Sequence, residues 1–192
     1  RVRVSMPGNL SPYARPVPSS RPLVRVPVPP GADGPRRILP ALAAALDGSG
    51  PAITPIPVAG PTVSSDYIGS LVAATRPDDP GLPLESDDIA VVVATSGSTG
   101  APRGVLLPAS ALTSLTDVVN GPGERPQWVV AIPVTSIGGL NVLVRALPTG
   151  NEPVVLASTG GAEPFTAAVF HAAITTAAAR SDDVRVSLVP AQ

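Results

Sequence analysis

I-A-V-V-V-A-T-S-G-S-T-G-A-P-R-G-V, residues 89–105, is the stretch from which the fold is read. An apolar, β-branched run (Ile89 to Val93) opens without a break into Ser96, Gly97, Ser98, Thr99 and Gly100, and Pro102, Arg103 and Gly104 follow. Small residues let a backbone approach an anion closely and take up positive φ, while N–H groups and hydroxyls turn inward as donors. Three hydroxyls, three glycines and one guanidinium in nine residues suit an anion cradle at the end of a strand. The other reading is a flexible Ser/Gly surface loop. Linkers, however, rarely sit directly against a buried strand or end in a Pro-Arg-Gly turn. Spacing excludes two better-known loops. A Walker loop counted from Gly97 would place Pro102 where its second glycine belongs, and the dinucleotide pattern G-x-G-x-x-G fails at Thr99.

Downstream of this stretch, residues 105–107 continue as strand, and residues 108–119 carry Leu112, Leu115 and Val119 at helical spacing. W-V-V-A-I, residues 128–132, is a buried strand that stops at Pro133. Residues 134–147 place Ile137, Leu140, Val144 and Leu147 on one helical face, with Thr135 or Ser136 as the N-cap. A short strand at 154–157, a helix at 163–179 and a last strand at 184–189 follow. This alternation of strands and helices predicts an α/β fold with a mostly parallel sheet covered by helices. Ligands of such sheets collect at the carboxyl ends of strands, where residues 95–104 and 133–139 both fall.

Upstream, residues 35–48 read as a helix with Ile38, Leu39, Leu42 and Leu46 on one face, residues 51–57 as a short strand, and residues 66–75 as a weak helix. Residues 1–34 form a Pro/Arg-rich segment, mostly irregular, in which Val24, Val26 and Val28 alternate as in a short edge strand. The organisation expected is this segment followed by one α/β domain over residues 35–192. The acids at 85–88 read as a solvated turn before a strand rather than a metal cluster. His171 reads as an exposed or half-buried helix residue, and Arg145 as reaching a carboxylate or the surface.

Composition narrows the chemistry. Of 192 residues 44% are hydrophobic and 14% charged, with 26 prolines and 18 glycines, so the chain is apolar and turn-rich rather than disordered. Cysteine is absent and histidine single, which removes thiolate chemistry and multi-histidine metal sites. All 13 basic residues are arginine, so no side chain here can form a Schiff base. Seven arginines stand against Asp33 alone in residues 1–37, but proline breaks that arm and no interleaved aromatics accompany it. Neither a nucleic-acid nor a membrane partner is expected. A cytoplasmic location is the default expectation.

Residues 95–105 resemble the T-S-G-S-T-G-x-P-K-G-V signature of the adenylate-forming acyl-CoA synthetases, matched at every defined position but one: Arg103 stands for lysine. The resemblance implies that Thr95, Ser96, Gly97, Ser98, Thr99, Gly100, Arg103 and Gly104 bind the phosphates of ATP, with Arg103 as an electrostatic stabiliser of the departing pyrophosphate. P-V-T-S-I-G-G-L, residues 133–140, is a strand end, a hydroxyl cap and two glycines at a helix start. Taken alone it reads as a helix cap with a glycine packed against the sheet. It is also similar to the family's second conserved stretch, and on that resemblance Ser136, Gly138 and Gly139 would contact substrate. Ser136 occupies a position that relatives give to histidine or an aromatic residue.

Within the family, residues 46–57, 128–133, 139–145 and 186–192 are similar, in order, to segments of the o-succinylbenzoate-CoA ligases of menaquinone synthesis. The resemblance implies an incomplete N-terminal domain of an adenylate-forming enzyme, whose C-terminal portion lies outside these residues. The parent would use ATP with Mg to adenylate a carboxylic acid and then form a CoA thioester, no metal being held by a side-chain cluster. The fragment alone is expected to be inactive. The alternative is a non-catalytic nucleotide- or phosphate-binding module derived from a synthetase.

Overall fold

A computed structural model describes residues 19–79, 83–95, 102–161 and 163–189. Strand β1 (Leu23–Val28) leads through helix α1 (Asp33–Leu46) to β2 (Ala52–Pro57), and β2 through α2 (Ser65–Thr75) to β3 (Ile89–Thr95). β1 and β2 pair in parallel from Leu23 opposite Ala52 to Val28 opposite Pro57, and β2 joins β3 in parallel with Ile53 opposite Val91. β4 (Arg103–Pro108) completes the sheet in the order β1-β2-β3-β4. A second, parallel sheet has β5 (Gln127–Val130) between β6 (Val154–Val155) and β7 (Val184–Val186).

Apolar periodicity explains which face each element buries. On α1, Ile38, Leu42 and Ala45 recur at helical spacing and are fully buried against Val26, Val28, Ile53, Val91 and Val93. Val92 points to the other face of the sheet, where it meets Ala52 and Leu106. Ile89 to Val93 is therefore covered on both sides, as a continuous apolar run requires. Thr54, buried in the same sheet, satisfies its hydroxyl by donating to the Val92 carbonyl. In the second sheet Val129, Ala131, Val154 and Leu156 pack on α6 (Ala167–Ala178), while Trp128 and Val130 join the α5 (Ile137–Ala146) side.

Three expectations are modified. The strand after the anion loop forms, but β4 runs antiparallel to β3, from Thr95 opposite Arg103 to Ile89 opposite Pro108. The helix expected over 108–119 is two short ones, α3 (Ala109–Thr113) and α4 (Thr116–Asn120), broken at Ser114 and Leu115. Leu115 is exposed rather than on a core face, which removes one of the contacts that would hold a continuous helix. The valine alternation near the N-terminus is a full edge strand, β1. Among the described residues no helix is long and apolar enough to cross a membrane.

Candidate functional site

Two cavities open at the carboxyl ends of the first sheet's parallel strands, facing the loop that follows β5. The smaller, about 430 Å³, is walled by Pro55 and Ile56 of β2, Val93, Ala94 and Thr95 of β3, Tyr67 and Leu71 of α2, and Pro133, Thr135, Ser136 and Ile137. The larger, about 700 Å³, lies between the loops after β1 and β2, the segment from Pro133 to Thr135, and Thr159, Gly160 and Gly161. Tyr67, Pro133 and Thr135 border both.

Thr95 ends β3 at the mouth of the smaller cavity, and its Oγ1 donates to the carbonyl oxygen of Arg103 at 3.3 Å. The bond closes the base of the hairpin. Arg103 is exposed, and no ion pair among the described residues holds its guanidinium. Gly104 follows on β4, and a Cβ there would stand 2.6 Å from the carbonyl oxygen of Ala74 on α2. The close approach of α2 to β4 thus accounts for this glycine. Ser96, Gly97, Ser98, Thr99 and Gly100, the centre of the expected phosphate loop, lie outside the described residues.

Ser136 is the N-cap of α5. Its Oγ accepts from the backbone N–H of Gly139 at 3.4 Å and donates to the carbonyl of Pro133 at 2.8 Å. The hydroxyl therefore serves the helix start while its residue lines the smaller cavity. The two glycines that follow differ. A Cβ on Gly139 would lie 2.5 Å from the Ile132 carbonyl oxygen and collide with Pro133 as well, so the helix start sits directly on the strand end. At Gly138 the nearest atoms to such a Cβ belong to Ile132 at 3.6 Å, an ordinary contact.

The structure thus brings Thr95 and Ser136 to one cavity, with Arg103 beside Thr95 on the hairpin, while Gly104 and Gly139 hold elements together. Of the residues that border both cavities, Thr135 lies in the stretch singled out from the sequence, although Ser136 and not Thr135 is the N-cap, whereas Tyr67 carried no signal beyond a tyrosine in the first turn of a weakly patterned helix. Arg145 is half-buried and makes no ion pair among the described residues. Its guanidinium lies 5.8 Å over the Trp128 ring, whose Nε1 donates to Asn120. Asp87 and Asp88 accept hydrogen bonds from Ser19 and Ser110, as turn residues do, and His171 is exposed on α6.

No family model matches the chain. Among curated proteins it is 41% identical over 128 residues to a probable 2-succinylbenzoate–CoA ligase of Mycobacterium tuberculosis, a match covering 65% of this chain and 30% of that protein. It is 39% identical over 75 residues to the 2-succinylbenzoate–CoA ligase of Bacillus velezensis, covering 36% and 15% respectively. The matched residues therefore span less than a third of either relative. Among solved structures, the N-terminal subdomain of Klebsiella oxytoca NpsA, in complex with 3-hydroxyanthranilyl-AMSN, superposes with a TM-score of 0.57 at 20% identity, over 88% of this chain and 46% of that one. The o-succinylbenzoate CoA synthetase MenE of Bacillus subtilis, solved with its acyl-adenylate intermediate OSB-AMP, gives 0.55 at 17% identity, over 91% and 50%. The chain is thus similar in sequence to part of the 2-succinylbenzoate–CoA ligases and in fold to about half of each of these two solved chains.

Proposed function

We propose that this chain is the N-terminal portion of an AMP-forming acid–CoA ligase, with o-succinylbenzoate as the acid, acting in menaquinone synthesis in the cytoplasm. One observation carries the reading: Thr95, at the threshold of the T-S-G-S-T-G loop, and Ser136, in the second stretch similar to the family, line one cavity at the strand ends. The relatives' names supply the reaction class. In this reading a carboxylate oxygen of the acid attacks the α-phosphorus of ATP, pyrophosphate leaves, and CoA then displaces AMP from the acyl-adenylate.

The loop's share of that chemistry is positioning and charge stabilisation, which needs no general base. Ser96, Gly97, Ser98, Thr99 and Gly100 would hold the β- and γ-phosphates from the end of β3, and Arg103 would add a permanent charge able to bind two phosphate oxygens at once. Thr95 keeps the two strand ends together beneath the loop. Ser136 would meet the acid from the wall of the cavity in this assignment, while Gly138, two residues on, is not among the residues that line it. Among the described residues no group of three or more His, Cys, Asp or Glu stands together, so magnesium enters with the nucleotide's phosphates.

Titration of Mg-ATP into the wild-type chain and Arg103→Ala, by calorimetry, tests the assignment. Loss of a charge-assisted contact is expected to weaken binding by about tenfold or more. Equal affinities would remove Arg103 from the phosphate site. A non-catalytic nucleotide-binding module is the second reading. It is favoured by Ser136, whose hydroxyl is already occupied in capping α5. The reading frame beyond Gln192 separates the two: an acidic ribose-binding motif and a lysine-bearing C-terminal domain support the ligase, and an immediate stop codon supports the module.

A further inference from the structure

We propose that Tyr67 is a specificity-determining partition: its ring closes the acyl cavity and excludes carboxylic acids with long hydrocarbon tails, for which the larger cavity behind it would otherwise be open. The proposal rests on the ligase reading above, since it takes the cavity of Thr95 and Ser136 as the place of the acid.

Tyr67 stands in the first turn of α2, where its backbone N–H donates to Oγ of the N-cap Ser64 at 3.2 Å. One turn further on, Leu71 is buried against the sheet, so the helix is anchored below and presents Tyr67 at the rim. The side chain is 50% exposed, and no hydrogen bond among the described residues fixes its hydroxyl. Tyr67 borders both the 430 Å³ and the 700 Å³ cavity. Pro133 and Thr135 share that boundary, but they belong to a segment pinned by the bond from Ser136 N–H to the Pro133 carbonyl and by the burial of Val134. Tyr67 is the part of the wall that a side-chain change can remove without disturbing a strand end.

The linings indicate what would pass. Among the described residues no charged side chain borders the larger cavity, which is faced mainly by valine and proline with threonines between them. A second carboxylate entering there would lose its hydration without a counter-charge, whereas a methylene chain would gain by leaving water. The excluded class is therefore the longer monocarboxylic acids. A short or aromatic acid fits in front of the ring.

The test is calorimetric titration of butanoate, hexanoate, octanoate, decanoate and dodecanoate into the whole chain, comparing wild type with Tyr67→Ala, Tyr67→Phe and Tyr67→Trp, each checked for folding by circular dichroism. In the wild type, affinity is expected to rise with length and then stop rising. In Tyr67→Ala it should continue to rise, by about fourfold per added methylene, through dodecanoate. Tyr67→Phe should keep the wild-type limit, because the ring and not the hydroxyl is the barrier, and Tyr67→Trp should move the limit to a shorter acid. Identical profiles for wild type, Ala and Trp would overturn the proposal, and so would a loss of the limit in Tyr67→Phe. Should Tyr67→Ala fail to fold, the Trp variant alone decides. Mg-ATP is titrated into the same samples. ATP binding with unchanged acid profiles sinks the partition and leaves the ligase reading standing, while absence of both ATP and acid binding sinks both.

Discussion

At the scale of single residues, adjacent glycines have unlike duties. Gly139 is required by space, because any side chain there meets the Ile132 and Pro133 carbonyls, whereas Gly138 sits one position earlier with room for a methyl group. Gly139→Ala is expected to destabilise the chain by about 1–3 kcal/mol, as forced overpacking does. Gly138→Ala should be neutral or stabilising by up to ~1 kcal/mol, since it removes a flexible residue from a helix. Urea unfolding of the two variants checks both, and equal losses would contradict the packing described. The sequence displayed this pair as a unit, a glycine-rich helix start. Only the crossing of α5 over the end of β5, a tertiary distance, tells the two apart. Tyr67 escaped notice for a related reason: its helix is weakly amphipathic, and the cavities it borders are made by segments far apart in the chain. Arg145 likewise found an indole face, a partner invisible to patterns of charge.

At the scale of elements, periodicity located the strands and helices well, because each buries a face of fixed repeat. Strand direction at the hairpin was a different matter. Seven residues separate the ends of β3 and β4, and a parallel return needs a crossover of a dozen or more residues, so antiparallel pairing was dictated by length rather than by composition. At the opposite end of the sheet, Arg21 fastens three elements. Its guanidinium donates to the carbonyls of Ala45 at the end of α1, Gly50 ahead of β2, and Asp87 and Ile89 at the start of β3. Arg21→Met keeps the apolar stem and removes every one of these donors. A loss of about 2–3 kcal/mol is expected in thermal or urea unfolding, and a change below about 0.5 kcal/mol would show that water replaces the guanidinium without cost.

At the scale of the whole molecule, the alternation of strands and helices announced an α/β architecture but not its division into two sheets. Which strands pair is decided by contacts between residues far apart, and β5 takes β6 and β7 as neighbours instead of joining β4. The sheets communicate through Thr159. Its Oγ1 donates to the Val130 carbonyl at 3.0 Å, and its own carbonyl accepts from Gly31 N–H at 2.7 Å, in the loop after β1. Thr159→Val should cost about 1 kcal/mol of stability. The Val130 carbonyl keeps its bond from the Leu156 N–H, so a much larger loss would mean that the hydroxyl organises the loop as well. Proton exchange at the Gly31 amide, followed by NMR, reads the junction directly and is expected to quicken in this variant. Two motifs at strand ends were legible in the sequence; that Thr95 and Ser136 wall one cavity was not, because it depends on how the second sheet's loops come to lie over the first.

The pairing of Thr95 with Arg103 has one further consequence. Where a phosphate loop runs from a strand into a helix, the fold itself contributes the positive end of the helix dipole. Here the chain re-enters the sheet at Arg103, so under the proposed reading the loop would lack that helix contribution and would rely on its own N–H groups, its hydroxyls and the Arg103 guanidinium for any anion it holds.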